Sequence, residues 1–226
     1  MKKVIWAVFT GLLFAGLIFA LRIYDVAAIG PEGTEIGFSA LNQFVHDLTG
    51  VNMIWYTVTE FFGYLAIAVC AMFALAGFVQ MIRRRSLFKV DKEIFALGGL
   101  FAAVIGCYVF FEKYIINYRP VIMPGETAPE ASFPSSHTML IMTVMIATMI
   151  VSDKYFSGGT GALVRVCCFL VTLVTVAGRL YCGVHWCTDI IGGILLSVTL
   201  LLLFSAVITA GRDRDDIRAG AYRPRH

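Results

Sequence analysis

The amino-acid sequence predicts an all-α fold, a polytopic membrane helix bundle with about six transmembrane helices. Three observations predict it. The 226 residues are 59% hydrophobic and only 15% charged, whereas a soluble domain carries roughly 25% charged residues. Mean hydropathy is +0.81. The apolar residues also gather into long runs with few charges, and the charges collect between the runs. Bilayer hydrocarbon offers no water to backbone N–H and C=O groups, so each run must close its own hydrogen bonds as a helix.

The runs are Val4–Tyr24, Tyr56–Ile82, Ile94–Ile116, Ser135–Val151, Val164–Leu180 and Asp189–Ala210. Each is close to or above the length that crosses about 30 Å of hydrocarbon at about 1.5 Å per residue. The first follows Met1-Lys2-Lys3 and is read as an uncleaved spanning helix, because no small-x-small cleavage site with a polar start follows it. Between the first two runs, Phe38, Leu41, Phe44, Val45 and Leu48 recur at helical spacing. They predict a short helix lying on the membrane surface or capping the bundle. No linker or low-complexity segment divides the chain, so 1–226 reads as one domain with a short basic tail from about residue 211.

Lysine and arginine set the orientation. Lys2, Lys3, Arg83, Arg84, Arg85, Lys89, Lys92, Lys154, Arg165, Arg212, Arg214, Arg218, Arg223 and Arg225 fall on one set of ends. Arg22, Lys113, Arg119 and Arg179 fall on the other. The first set reads as cytoplasmic, with both termini inside, and the expected location is a plasma membrane. The net charge of +3 gives no reason to expect a nucleic-acid partner. The six cysteines form no metal pattern and are expected to be unpaired. Cys182 and Cys187 flank His185 and would be the pair to form a disulfide in an oxidising compartment.

Three clusters fall on the outer ends. Lys113 and Arg119-Pro120 lie at the outer end of the third run. Pro134-Ser135-Ser136-His137 opens the fourth. Arg179, His185 and Asp189 bracket the loop between the fifth and sixth. The topology brings these distant clusters to one membrane face. Arg119, Arg179 and Lys113 supply fixed positive charge, and guanidinium forks match phosphate oxygens. Ser135, Ser136 and the N–H groups of the fourth helix's first turn extend this into an anion cradle. His185 and Asp189 are four apart and share a helical face. The carboxylate can therefore accept Nδ1–H and leave Nε2 to attack phosphorus. His137 is the candidate acid that protonates the leaving oxygen. The cations neutralise developing charge, so the expected chemistry needs no metal and no cofactor. Each residue alone would pass for an interfacial anchor; the cluster on a face poor in basic residues does not. His46 and His226 have no such company, and Glu60 reads equally as a functional charge or an interfacial one.

Taken together, these motifs resemble the type 2 phosphatidic acid phosphatase family, which also includes vanadium haloperoxidases. The family pattern is Lys-x6-Arg-Pro, Pro-Ser-Gly-His and Ser-Arg-x5-His-x3-Asp. The third motif appears as Gly178-Arg179-x5-His185-x3-Asp189, with Gly178 for Ser. The second has Ser136 for Gly. In the first, Lys113 stands one residue closer to Arg119 than the pattern asks, and Glu112 takes the lysine's place. The resemblance implies that His185 is the nucleophile, His137 the acid–base and Asp189 the orienting carboxylate. It further implies that Arg119, Arg179, Ser135, Ser136 and Lys113 bind phosphate. The expectation is a lipid phosphate or diphosphate phosphatase acting through a phosphohistidine at the non-cytoplasmic face. Its partner is a phospholipid or polyprenyl phosphate such as undecaprenyl diphosphate, phosphatidic acid or phosphatidylglycerol phosphate. A phosphotransferase would use the same residues. A lipid transporter would place polar groups or broken helices at mid-membrane, where these runs are apolar.

Overall fold

The computed structural model describes the backbone of residues 1–218 and the side chains of residues 1–211. His226 and the far end of the basic tail lie outside the described residues. The helices in chain order are α1 (Lys2–Ile23), α2 (Ser39–Thr49), α3 (Met53–Arg84), α4 (Lys92–Lys113), α5 (Ser136–Tyr155), α6 (Gly158–Tyr181) and α7 (Cys187–Arg218). Six of them, all but α2, are long and apolar enough to cross a membrane. The chain is an all-α, multi-pass membrane bundle. Helix α7 continues beyond Gly211, where the sequence suggested that a tail begins.

Local chemistry sets several boundaries. The Asn52 side chain accepts hydrogen bonds from Ile54 N (3.0 Å) and Trp55 N (3.2 Å), satisfying two open donors of α3. This moves the helix start three residues ahead of the apolar run. Ser135 caps α5, so the fourth helix begins at Ser136. Helices α5 and α6 extend beyond their apolar runs at residues 152–155 and 158–163.

Helix α5 is the axis. In its spanning window 56% of residues are buried, against 11% for α3 and 22% for α6. One core cluster joins Phe73 of α3, Leu97 and Leu100 of α4, Ala147 and Val151 of α5, and Leu201 and Phe204 of α7. A second joins Phe14 and Leu21 of α1 to Val104, Phe111, Phe133, Met139 and Leu196. A third packs Ala66, Ile141, Val144, Met145 and Cys168 between α3, α5 and α6. Large apolar side chains such as Leu12, Phe61, Leu75 and Ile105 point outward, as a lipid-facing surface requires. At the end rich in Lys and Arg, Asp91 accepts from Gln80 (2.9 Å) and Arg84 (2.9 Å) and pairs with Lys154 (3.5 Å). This network ties α3, α4 and α5 together.

Helix α2 both caps the bundle and presents an apolar face outward. Leu41, Phe44 and Leu48 are exposed, while Asn42 is fully buried. Asn42 donates to Gly37 O and Thr188 Oγ1, and its carbonyl accepts from Thr188 N.

The close approach of Gly192 in α7 to the buried ring of Phe133 generates a test. A Cβ at residue 192 would stand 2.4 Å from Cε2 of Phe133. Gly192→Ala should lower stability by about 1–3 kcal/mol, read as the thermal unfolding midpoint in detergent. Adding Phe133→Leu should recover part of the loss; an unchanged midpoint in the single variant would contradict this packing.

Candidate active site

The site lies at the end of the bundle opposite the Lys- and Arg-rich network. Two loops, 114–135 and 182–186, meet there with the outer ends of α3, α5, α6 and α7. The first loop folds back on itself. Arg119 N donates to Glu130 O (2.9 Å) and Ser132 N to Asn117 O (3.0 Å), which aims Arg119 inward. The second loop turns at Gly183, whose φ of +66° lies in the region glycine tolerates. A Cβ there would meet Gly50 O at 1.8 Å. The sharp turn lays His185 against the two arginines.

Arg179 is completely buried. Its NH2 group donates to His185 Nε2 at 2.9 Å, and its NH1 to Thr59 Oγ1 at 3.1 Å and Glu60 Oε1 at 3.4 Å. The guanidinium also stacks 5.3 Å from the centre of the Tyr56 ring. Its Nε–H is buried with no acceptor. Arg119 NH1 reaches His185 Nε2 at 3.4 Å from the other side, and its Nε pairs with Glu130 at 3.1 Å. Gly178 makes this possible, since a Cβ there would lie 2.8 Å from Thr59 Cγ2. The glycine that departs from the family motif leaves the space in which Thr59 reaches Arg179.

A guanidinium only donates, so Nε2 of His185 is the acceptor and a neutral ring carries its proton on Nδ1. Burial first, and then the positive charges of Arg119 and Arg179, hold the protonation of His185 well below the ordinary imidazole range. The ring is thus neutral at neutral pH, with its lone pair on the side where the cations converge.

Asp189 is fully buried behind the loop. Its carboxylate accepts from Trp186 N (3.0 Å) and Asn117 Nδ2 (3.1 Å). Trp186 precedes the first residue of α7, so Asp189 closes that helix start as an acid three residues in from the cap. Nδ1 of His185 lies 3.7 Å from Asp189 Oδ2. This is longer than a hydrogen bond, so the Nδ1–H···carboxylate bond expected from helical spacing is not made, and the carboxylate stands beside a neutral ring. The reason is local: His185 sits before α7, and the carboxylate is held by the helix start.

His137 opens α5 with its Nε2 at 2.9 Å from Glu60 Oε1, and its Nδ1 is buried without a partner. Ser135 and Ser136 divide their work. Ser135 is buried; its hydroxyl accepts from Thr138 Oγ1 (3.1 Å), and its N–H donates to Asp189 O (3.0 Å). Ser136 is the one that lines open space, together with Arg119, Ser132, Met139 and His185. A cavity of about 510 Å³ adjoins this cleft between α3, α4 and α5, sharing Tyr108, Ser136 and Met139 with it. Its polar end holds Glu60, Ser136 and His137, and its remainder is apolar, with Tyr64, Ile67, Phe101, Val104, Ile105 and Leu140.

Lys113 stands apart. It ends α4 exposed, and neither cleft is lined by it, whereas Glu112 does line the smaller one. Cys182 and Cys187 are free thiols, bonded to Arg179 O and Asn42 Oδ1 respectively. Among the described residues no three His, Cys, Asp or Glu side chains converge to hold a metal ion. Reading the sequence alone missed Tyr56, Thr59 and Asn117 and left Glu60 undecided. The signal was available: Tyr56, Thr59, Glu60 and Gly63 fall at i, i+3, i+4 and i+7 of an otherwise apolar helix.

Residues 58–212 match the PAP2 superfamily, well over half of the chain, and the chain belongs to that superfamily. It is similar to phosphatidylglycerophosphatase B of Bacillus subtilis (strain 168), 30% identical over 94 residues. That stretch is 41% of this chain and 46% of the relative, so the match spans about half the length of the curated relative. In three dimensions it is similar to the crystal structure described as the first transmembrane PAP2-type phosphatidylglycerolphosphate phosphatase from Bacillus subtilis. The TM-score is 0.64 at 20% identity, covering 93% of this chain and 98% of that one. At that identity the likeness establishes a shared fold.

Two measurements check the geometry. Asn117→Ala removes one of the partners of a buried carboxylate and should destabilise by about 1–3 kcal/mol, seen as a lower unfolding midpoint; no change would mean that Asp189 does not depend on it. For His185, the unfolded ring takes up a proton near pH 6.5 while the folded ring stays neutral. Its contribution to stability is therefore present above about pH 6.5 and lost as pH falls below it. The midpoint should fall on acidification below about pH 6.5, and less steeply in His185→Gln. Equal slopes would contradict a neutral, buried His185.

Proposed function

We propose that this protein is a lipid phosphate or diphosphate phosphatase that works through a phosphohistidine on His185, at the non-cytoplasmic face of a plasma membrane. The observation that carries the reading is the convergence of Arg119 and Arg179 on His185 Nε2, beside an apolar cavity that reaches into the bundle.

In the resting site both guanidinium groups donate to the nucleophile's lone pair. A phosphate group offers them better acceptors, because charge-assisted bonds to its oxygens are stronger. Substrate binding thereby transfers the arginine donors from Nε2 to phosphate oxygens and frees the lone pair facing phosphorus. Nε2 then forms the N–P bond as the ester P–O bond breaks, and His137 gives a proton to the leaving oxygen. Asp189 stabilises the ring as positive charge develops on it. Water next attacks phosphorus, His137 takes the proton, and the N–P bond breaks to release phosphate. Arg119 and Arg179 neutralise the equatorial oxygens throughout.

The cavity supports a lipid substrate. Its apolar length suits acyl or isoprenyl chains, and its polar end meets the phosphate cleft. Phosphatidylglycerol phosphate, phosphatidic acid and undecaprenyl diphosphate all present a phosphate at that depth. The resemblance to phosphatidylglycerophosphatase B favours the first. The concentration of Lys and Arg at the opposite end supports both termini being cytoplasmic. The purified protein should release phosphate from a panel of lipid phosphates, with and without chelator. His185→Ala should abolish release, and His137→Ala should slow it by about 10²–10⁴-fold. Full activity in His185→Ala, or strict dependence on a divalent metal, would overturn the reading.

A further inference from the structure

Glu60 has no place in the motif trio, yet it touches two members of the site. Its Oε1 lies 2.9 Å from His137 Nε2 and 3.4 Å from Arg179 NH1. It stands on the face of α3 turned toward the site, one residue after Thr59, which also holds Arg179. The His137 ring packs against Gly63 one turn further along, where a Cβ would lie 3.1 Å from its Cδ2. The imidazole is thus seated on α3, with the carboxylate at one nitrogen and backbone beneath its edge. A carboxylate only accepts, so Nε2 carries a proton whenever this pair stands.

We propose that Glu60 is the positioning carboxylate of the acid–base histidine: it holds Nε2–H of His137 and fixes the pose of the ring, so that a proton can be handed from Nδ1 to the leaving lipid oxygen. This rests on the phosphatase reading above. The step it serves is balanced there. The P–O(lipid) bond breaks as the N–P bond to His185 forms, and the lipid oxygen leaves as an alcohol with a proton from Nδ1 of His137, the ring nitrogen without a protein partner, while Nε2–H stays on Glu60. Asp189 stands 3.7 Å from His185 on one helix, and Glu60 pairs directly with His137 from another at 2.9 Å.

The consequence is dependence on the leaving group. An alkoxide needs the proton; p-nitrophenolate, a far weaker base, departs without it. Glu60→Gln is to be assayed on dioleoyl phosphatidic acid and on p-nitrophenyl phosphate, both in detergent, alongside His137→Ala and the double variant. The expected result is a drop of roughly 10–100-fold on the lipid in kcat/KM, which reports the steps up to phosphohistidine formation and not its later hydrolysis, a smaller loss than the roughly 10²–10⁴-fold that the acid itself supplies. The drop on p-nitrophenyl phosphate should be at most a few-fold. His137→Ala should show the same selectivity, and the double variant should be no slower than His137→Ala alone. Inhibition by vanadate should be unchanged. Glu60→Asp keeps the charge but shortens the reach, and should show the same selective loss; it serves as the reporter if Glu60→Gln does not fold.

Equal losses on both substrates, or weakened vanadate inhibition without selectivity, would assign Glu60 to supporting Arg179 and overturn the proposal. Undiminished lipid turnover in Glu60→Gln would do the same. Wild-type protein that releases phosphate from neither substrate would instead count against the phosphatase reading, and this inference would fall with it.

Discussion

A guanidinium with no exposed surface cannot shed its charge and must find acceptors within the protein. Arg179 is such a group, and much of the outer end of the bundle is arranged around it. Thr59 and Glu60 come from α3, the lone pair of His185 from the 182–186 loop, and a π face from Tyr56. To bring these together, Gly178 must lack a side chain and Gly183 must turn through a positive φ. Even so, Nε of Arg179 has no acceptor. A buried donor in that condition is costly, and a phosphate oxygen is the ligand best suited to relieve it. The cation that orders the fold locally is thus also the one that leaves room for an anion.

The membrane explains why this works at so small a scale. In an apolar surrounding, charge–charge interactions are stronger than in water, so a few cations can neutralise a phosphate. The bundle keeps its charged groups at its two ends. One end is a closed network of Asp91, Gln80, Arg84 and Lys154 that ties helices together. The other leaves Nε of Arg179 and Nδ1 of His137 buried without partners. Between them α5 is enclosed on most sides, and its first turn brings Ser136 and His137 to the rim of the apolar cavity.

Much of this was legible in the sequence. The apolar runs exceed the span of a bilayer, so helix number followed from length. The three motifs marked one face because their cations had no topological reason to be there. Other features could not be read. Lys113 looked like a phosphate ligand from its neighbourhood, but one residue fewer before Arg119 leaves it exposed at the end of α4, with Glu112 turned to the cleft. Ser135 and Ser136 are chemically equal in the sequence; only the cap of α5 separates them. Asp189 was expected to bind His185 by helical spacing, whereas its carboxylate is committed to the start of α7. Thr59, Glu60 and Asn117 act across contacts 60 or more residues distant, which spacing rules do not reach.

Helix α2 carries a consequence of a different kind. Its buried Asn42 grips the first turn of α7 at Thr188, and His46 packs against Trp186, the neighbour of His185. Its opposite side, with Leu41, Phe44 and Leu48, faces away from the protein and in a membrane would rest among lipid headgroups. The helix therefore joins an outward apolar face to the 182–186 loop that holds His185. Two contacts, Asn42 to Thr188 and His46 to Trp186, separate the outer surface of the protein from the site.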